Sequence, residues 1–228
     1  MGGKLFDCWP LHRFDRRRFT QHGFNLIEVM VAVAVIGVFL GIGIPAIGDW
    51  IQNRQVNVLA ESIASGIRLA QSEAVQRNVP VDMVLTTSDV TSPANPATAT
   101  LALGGLAKTD DTPNWMVRVS GGTTSAGFLH GKMGRDGSEN ARFSGPAGVR
   151  FSPLGRVSAS IASDGTTTVP AGNLVFRIVN PSVQSSTSNL RCVFVSVGGA
   201  VRVCDPRVSA PDSRACVPPL AATDCPTS

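Results

Sequence analysis

The feature that most constrains this chain is an uninterrupted apolar run near its N-terminus. Val29–Gly48 contains 20 consecutive residues without a charged side chain. A helix needs about 20 apolar residues to cross the hydrocarbon core of a bilayer. A basic cluster precedes the run, formed by Arg13, Arg16, Arg17 and Arg18. The length and the flank predict one membrane-spanning helix whose basic side stays in the cytoplasm.

The surroundings of the run argue against a secretory signal peptide. The apolar core of a signal peptide has about 7–15 residues and ends at a small-residue cleavage site. This run is longer, and Asp49 and Trp50 follow it. A plain single-pass anchor explains the length, but it does not explain Glu28, the ionisable side chain at the head of the run. A carboxylate in a membrane costs roughly 2.5–3.5 kcal/mol on insertion scales, so it normally has a partner.

The residues around this glutamate closely resemble the leader of a known class of proteins. The segment Gly-Phe-Asn-Leu-Ile-Glu, beginning at Gly23, is similar to the type III leader of type IV pilins and type II secretion pseudopilins. Their usual form has threonine where this chain has Asn25. The resemblance implies that a prepilin peptidase cleaves after Gly23 and methylates the new amino terminus at Phe24. It also implies that Glu28 pairs with a neighbouring subunit's terminal amine during filament assembly, and that Pro45 bends the helix.

Beyond the apolar run the helical pattern continues with a single apolar face. Apolar residues recur at steps of three and four: Val56, Leu59, Ile63, Ile67, Ala70 and Ala74. Glu73 and Arg77 have the spacing of a supportive i,i+4 ion pair. Asn78 and Pro80 end the helix, because a proline disfavours helical angles in the residue before it. We therefore predict three segments: a cleaved leader (1–23), a transmembrane half of the helix (24–50) and an amphipathic half (51–79).

From Val81 onward the period changes from helical to alternating. Short apolar–polar runs are separated by tracts rich in Gly, Pro, Ser and Asn, which is typical of antiparallel strands. The runs are Val81–Thr86, Trp115–Val119, Val149–Phe151, Leu174–Val179 and Cys192–Val203. The predicted fold class is α+β: a type IV pilin-like fold with a long N-terminal helix packed under an antiparallel β-sheet domain (80–204). A cysteine-containing tail (205–228) follows.

Three segments of the distal chain sharpen the resemblance. Ile67–Ala74, Val149–Arg156 and the closing hairpin Arg191–Val203 are similar to the GspH/FimT group of minor pseudopilins and pilins. The resemblance implies a subunit that assembles through its N-terminal helix into a type II secretion pseudopilus or a type IV pilus, at or near the tip. The implied partners are the prepilin peptidase, other major and minor subunits, and the bacterial inner membrane. The C-terminal domain would lie in the periplasm.

Catalysis has little support in the sequence. The chain after the leader contains one histidine, His130, and no tyrosine. No serine lies in a nucleophile-elbow pattern. Gly131–Gly137 is basic and glycine-rich, but it lacks the order of a phosphate loop, so we predict a solvated turn. We expect His130 to be an ordinary loop residue, and we expect no enzymatic activity, no cofactor and no metal site.

Nucleic-acid binding, as in a minor pilin for DNA uptake, is the alternative function. The formal net charge is +4, but the leader carries +3 of it, which leaves the mature chain nearly neutral. DNA-binding members of the resembled group carry Gly-Arg-x-Arg in the last hairpin, and Gly199–Arg202 keeps only the second arginine. Arg202 and Arg207 are the candidate DNA contacts, and folding could add Arg150 and Arg156. The affinity of a protein for duplex DNA rises with the number of phosphates that its basic residues neutralise. A nearly neutral chain with few candidate contacts is a poor DNA binder by this measure, so assembly is the favoured function.

The cysteines indicate disulfides in an oxidising compartment. Cys8 belongs to the leader, and four others follow the predicted membrane helix: Cys192, Cys204, Cys216 and Cys225. An even number of cysteines outside the cytoplasm predicts two disulfides. A zinc site is the alternative, but these cysteines are widely spaced and contain no Cys-x-x-Cys pair.

The last hairpin allows a prediction of register. A three-residue loop at Val197–Gly199 sets Cys192 opposite Cys204, with Gly199 in the left-handed conformation that such loops favour. The same register places four valines together on the other face: Val193, Val195, Val201 and Val203. We therefore predict the disulfide Cys192–Cys204 and, by exclusion, Cys216–Cys225.

Overall fold

A computed structural model describes residues 25–87, 90, 113–121, 127–134, 136–182 and 190–219, without the side chains of residues 40 and 42–50. These residues form a helix, α1 (Leu26–Arg77), followed by ten strands. The strands are β1 (Val81–Thr86), β2 (Asn114–Val119), β3 (Phe128–Lys132), β4 (Arg142–Ser144), β5 (Gly148–Phe151), β6 (Val157–Ile161), β7 (Thr167–Thr168), β8 (Leu174–Val179), β9 (Arg191–Val195) and β10 (Val201–Cys204). Contacts divide the chain into two units, Met1–Ile44 and Pro45–Ser228.

The C-terminal end of α1 matches the prediction. The helix ends at Arg77, and Asn78 adopts a left-handed φ of 54°, a conformation that asparagine tolerates better than most residues. The predicted i,i+4 pair forms, with 2.6 Å between Arg77 Nε and Glu73 Oε2. Within the described residues, no helix combines the length and the apolar character that crossing a membrane requires.

The strands form two antiparallel sheets rather than one. The first sheet has the order β3-β2-β1-β5-β6-β7, and the second has the order β10-β9-β8-β4. The predicted runs correspond to β1, β2, β5, β8 and the β9–β10 hairpin. Strands β4, β6 and β7 were not predicted, because β4 and β7 are very short and β6 alternates small residues with only two larger apolar ones.

The structure corrects two predictions, the loop at His130 and the start of the solvated turn at Gly131. His130 and Gly131 lie in β3, which pairs antiparallel with β2, and the imidazole stacks on Trp115 with ring centroids 5.6 Å apart. Gly131 is required by packing, because a Cβ at this position would lie 2.8 Å from the Val90 carbonyl oxygen. Glycine here reflects close approach by another segment, which sequence patterns do not separate from turn chemistry.

The main core lies between the amphipathic part of α1 and both sheets. All six residues of the predicted helix face are fully buried. They pack against inward-facing strand residues that include Met83, Leu85, Val149, Phe151, Phe176, Ile178, Val193 and Val195. Trp115 links the first sheet to α1, because its indole N–H donates a hydrogen bond to Ser62 Oγ at 2.9 Å. The α+β prediction, with the helix packed under antiparallel strands, is confirmed.

The opposite face of the first sheet is also covered. Val84 and Met116 form a second cluster there with Val90, Ala147 and Ile161. Both faces of β1 are therefore covered, and every residue of the strand is buried. These buried residues include the charged Asp82. Its carboxylate needs compensation within the protein, because burial of an unpaired charge is costly.

Candidate functional site

The first turn of α1 is fixed by the residue that departs from the usual leader sequence. Asn25 Oδ1 accepts a hydrogen bond from the Ile27 N–H at 3.4 Å, and the Asn25 carbonyl accepts one from the Glu28 N–H at 2.9 Å. Asparagine and threonine are both helix N-cap residues, so the substitution keeps the capping chemistry. Gly23 and Phe24, the predicted cleavage and methylation residues, lie outside the described residues.

The first part of α1 presents apolar side chains to its surroundings. Residues 26–39 are all exposed, and the exposed fraction reaches 76% at Leu26 and 72% at Phe39. Glu28 is exposed within the same stretch and is the acidic residue of the first helical turn. Large contiguous apolar surfaces mark interaction sites with proteins or membranes. A carboxylate buried along with this surface would need a cationic partner.

Pro45 lies within the bounds of α1, and its side chain is outside the described residues. Its bending of the helix stays a prediction. A proline inside a helix removes one backbone donor and crowds the preceding turn.

The closing hairpin has the predicted register. Cys204 lies opposite Cys192, and Val201 lies opposite Val195. Gly199 has a φ of 96°, and its N–H donates to the Ser196 carbonyl at 2.8 Å. The four valines face the main core, where Val193 and Val195 are buried and Val201 and Val203 are partly buried.

The predicted disulfide pairing is wrong even though the register is right. The structure joins Cys204 to Cys216, with 5.0 Å between their Cα atoms. The chain after β10 folds back, so that Asp205 forms a parallel bridge with Ala215 and Cys216 reaches Cys204. Facing positions across a hairpin therefore did not determine the pairing, because the returning tail supplied Cys216 as the partner of Cys204.

The remaining cysteines follow from this correction. Cys192 is also disulfide-bonded, and since Cys204 and Cys216 pair with each other, its partner lies outside the described residues. The predicted Cys216–Cys225 pair is also wrong, because Cys216 is bonded to Cys204; Cys225 itself lies outside the described residues. The sulfur atoms of Cys192, Cys204 and Cys216 are in disulfides, and the described residues contain no cluster of metal-ligating side chains.

Asp205 makes several contacts that hold the tail carrying Cys216 in place. Its carboxylate is ion-paired with Arg191 and lies 3.3 Å from Arg207 Nε. Burial alone would raise the pKa of Asp205, but hydrogen bonds from Arg207 and the charges of Arg191 and Arg207 lower it overall. The Asp205 N–H also donates to the Arg214 carbonyl at 2.7 Å. The tail is therefore held to the end of β10 by charge, backbone and disulfide together.

The candidate DNA contacts are not equivalent in the structure. Arg202 is exposed on β10, whereas Arg207 is engaged by Asp205. Arg156 is exposed, and Arg150 is committed to Asp82 on the first sheet. Two of the four arginines considered for a DNA-binding surface are therefore neutralised within the fold.

The Asp82 cluster is a feature that sequence reasoning missed. Arg150 donates to the fully buried Asp82 carboxylate from Nε at 2.7 Å and from Nη2 at 3.2 Å. The hydrogen bonding with Asp82 raises the pKa of Arg150. Arg118 Nε lies 3.7 Å from the same carboxylate, and burial lowers the pKa of Arg118 against the attraction of Asp82. Asp82 lies opposite Arg118 and Arg150 in the neighbouring strands, which indicates a structural role for the cluster.

The domain body and the N-terminal segment each match a known family. The family of type II transport protein GspH matches residues 59–199, which is more than half of the chain. The prokaryotic N-terminal methylation motif matches residues 18–44. Strand β10 and the tail held by Cys204–Cys216 lie beyond the GspH match.

Individual relatives share only part of their length with this chain. The type IV major alpha-pilin of Moraxella bovis is 32% identical over 62 residues, which are 27% of this chain and 39% of that protein. The type IV major fimbrial protein FimA of Dichelobacter nodosus is 39% identical over 56 residues, which are 25% of this chain and 34% of that protein. The chain thus spans a little over a third of the length of these curated relatives.

A solved structure also resembles this one. The crystal structure of the type IV minor pilin FimU of Pseudomonas aeruginosa is 13% identical, with a TM-score of 0.45, over 68% of this chain and 91% of that chain. The family match over residues 59–199 carries more weight than this likeness, because it covers most of the helix–sheet body described above. The chain belongs to the GspH family of type II transport proteins.

Proposed function

We propose that this chain is a minor pilin-like subunit that assembles through its N-terminal helix into a type II secretion pseudopilus or a type IV pilus, at or near the tip. One observation supports this above the others. The exposed apolar stretch of α1 carries Glu28 in its first turn, and it lies within residues 18–44, which match the N-terminal methylation motif.

The residues singled out in the N-terminal segment each have a role in this proposal. A prepilin peptidase cleaves after Gly23, and Phe24 becomes the methylated amino terminus. The apolar stretch is stable in lipid before assembly and against neighbouring helices afterwards, because both environments remove it from water. Glu28 pairs with the amino terminus of a neighbouring subunit, which offsets the cost of burying its carboxylate. Pro45 gives the helix the bend that packing in the filament requires.

The proposed location is the bacterial inner membrane, with the N-terminus in the cytoplasm. The basic residues before the helix support this orientation, because positively charged flanks stay on the cytoplasmic side. The Cys204–Cys216 disulfide supports a periplasmic location of the distal domain, because such bonds persist in oxidising compartments.

Processing of the N-terminus tests the proposal. The full chain is expressed in cells with and without a prepilin peptidase, and the mature protein is analysed by mass spectrometry. We expect an N-methylated Phe24 only where the peptidase is present. Gly23→Val should block processing, because the enzyme must close on a backbone position without a side chain. Gly37→Val is the matched control, since a Cβ at Gly37 meets nothing within 4 Å. An intact Met1 in peptidase-containing cells would contradict the proposal.

A further inference from the structure

Among the residues that the structure describes, strand β10 has one edge that no other strand covers. It is the terminal strand of the second sheet and pairs only with β9 there. The Ser196 N–H donates to the Ala200 carbonyl at 2.9 Å, which makes these two residues a hydrogen-bonded pair. Hydrogen-bonded and non-hydrogen-bonded pairs alternate along antiparallel strands. The N–H and carbonyl groups of Val201 and Val203 therefore point away from β9.

Within the described ranges, hydrogen bonds from the protein itself reach only the two ends of this edge. The Val201 carbonyl accepts a hydrogen bond from Arg68 Nη2 at 3.4 Å. Beyond the strand, the Asp205 N–H donates to the Arg214 carbonyl. Between them, the N–H of Val201 and both backbone groups of Val203 have no hydrogen-bond partner among the residues that the structure describes.

These backbone groups face a groove in the surface of the domain. The groove has a volume of about 370 Å³ and lies between Glu61 and Arg68 of α1 on one side and Ser213 and Val217 of the tail on the other. A neighbouring depression of about 260 Å³ shares Glu61, Val203 and Ser213 with it. The tail wall is held by the Cys204–Cys216 disulfide, so the groove has defined walls on both sides of the open edge.

The charges around the groove are unevenly neutralised. In the tail, Arg207 is paired with Asp205 and Arg214 with Asp212. Arg68 and Arg202 line the groove, are both exposed, and have no ion pair with any residue in the described ranges. Glu61 is the acidic residue of the same groove, so the excess charge beside Val201 is positive.

We propose that the edge of β10 binds an extended, acidic segment of another pilin-like subunit, which adds to the second sheet as an extra strand. Backbone groups of the incoming segment pair with Val201 and Val203, as in other cases of strand addition to an open sheet edge. An acidic side chain of that segment lies across from Arg202, because opposite charges on facing positions of neighbouring strands attract. This inference rests on the proposed function, since it names the surface that contacts a neighbour in the filament.

A proline substitution tests the backbone pairing selectively. The probe is a set of fluorescent, overlapping 12-residue peptides covering the other pilin-like subunits of the same organism. Binding to the detergent-solubilised full chain is measured by fluorescence anisotropy. Of the backbone hydrogen-bonding groups, Val203→Pro removes only an outward N–H, so the β9–β10 ladder keeps its bonds. We expect about tenfold weaker peptide binding, the size of one lost hydrogen bond. Val203→Ala is the matched control, because it shortens the side chain but keeps the N–H.

A charge reversal tests the acidic character of the partner without touching the backbone. Arg202 is exposed, so Arg202→Glu should fold normally and weaken binding of an acidic peptide several-fold. A peptide with lysine in place of its acidic residue should bind this variant better than it binds the wild-type chain. Such a reciprocal rescue requires that the two side chains face each other.

Several results would overturn the inference. It fails if no peptide binds, or if Val203→Pro and Val203→Ala bind equally well. It also fails if the Arg202-dependent ligand is a fluorescent DNA duplex, or if Val203→Pro abolishes self-association of the chain instead of peptide binding.

Incorporation of the chain into filaments is scored separately. A chain that enters filaments but binds no peptide refutes the groove proposal alone, and a chain that binds peptides but never enters filaments refutes the proposed function alone.

Discussion

The two ends of α1 are built from similar apolar residues, yet their side chains have opposite surroundings. Ile36, near the start of the helix, is 55% exposed, whereas Ile63, in its second part, is fully buried. The second part has an apolar stripe with polar residues between its members, and the first part is apolar on all sides. A helix that is apolar all round is normally buried in a protein core or a membrane, and residues 26–39 of this helix are exposed in the structure. The contrast therefore separates residues that fold this chain from residues available to other molecules.

Substitution of the two isoleucines should give the largest difference between these regions. Ile63→Ala leaves a cavity among buried neighbours, and we expect it to lower the free energy of unfolding by roughly 2–5 kcal/mol. Ile36→Ala should leave that free energy almost unchanged. Denaturant unfolding of the full chain in detergent, followed by near-ultraviolet circular dichroism, measures both. Equal destabilisation by the two variants would contradict the division of α1.

Glycines provide a second, smaller contrast between the same regions. A Cβ at Gly66 would lie 2.9 Å from the ring of Trp115, and that ring is fixed by its hydrogen bond to Ser62. Gly66→Ala should therefore destabilise the domain by about 1–3 kcal/mol through overpacking. Gly41→Ala meets nothing within 4 Å and should stabilise the helix slightly, by up to about 1 kcal/mol. Thermal unfolding of both variants checks the sign, and a stabilised Gly66→Ala would show that Trp115 can move.

The elements that sequence analysis located are those whose signal is local and periodic. The apolar face from Val56 to Ala74 was visible as steps of three and four residues, and the end of α1 as Asn78 before Pro80. The hairpin register followed from two local demands, a glycine in the left-handed conformation and four valines on one face. Residues buried along one face of a helix or strand recur at a fixed spacing in the sequence. These features could therefore be predicted without knowing which distant residues they contact.

The features that were missed depend on contacts between distant segments. Cys204 is joined to Cys216 because the tail folds back at Asp205, and the sequence does not encode that return as a pattern. Strand β3 contains glycine because Val90 packs against it, and the same residue type signals a turn elsewhere. Arg150 and Asp82 are 68 residues apart in sequence, so their pairing depends on the order of strands in the first sheet.

The most direct test of the account is the role of Glu28 in assembly. Glu28→Gln removes the charge but keeps the size of the side chain, and it leaves the predicted cleavage site and the folded domain untouched. The full chain, wild type or variant, is produced in its host, and sheared filaments are probed for it after the processed N-terminus has been verified. We expect normal cleavage and a loss of most incorporation for Glu28→Gln. Incorporation at the wild-type level would contradict assembly through a paired carboxylate in the N-terminal helix.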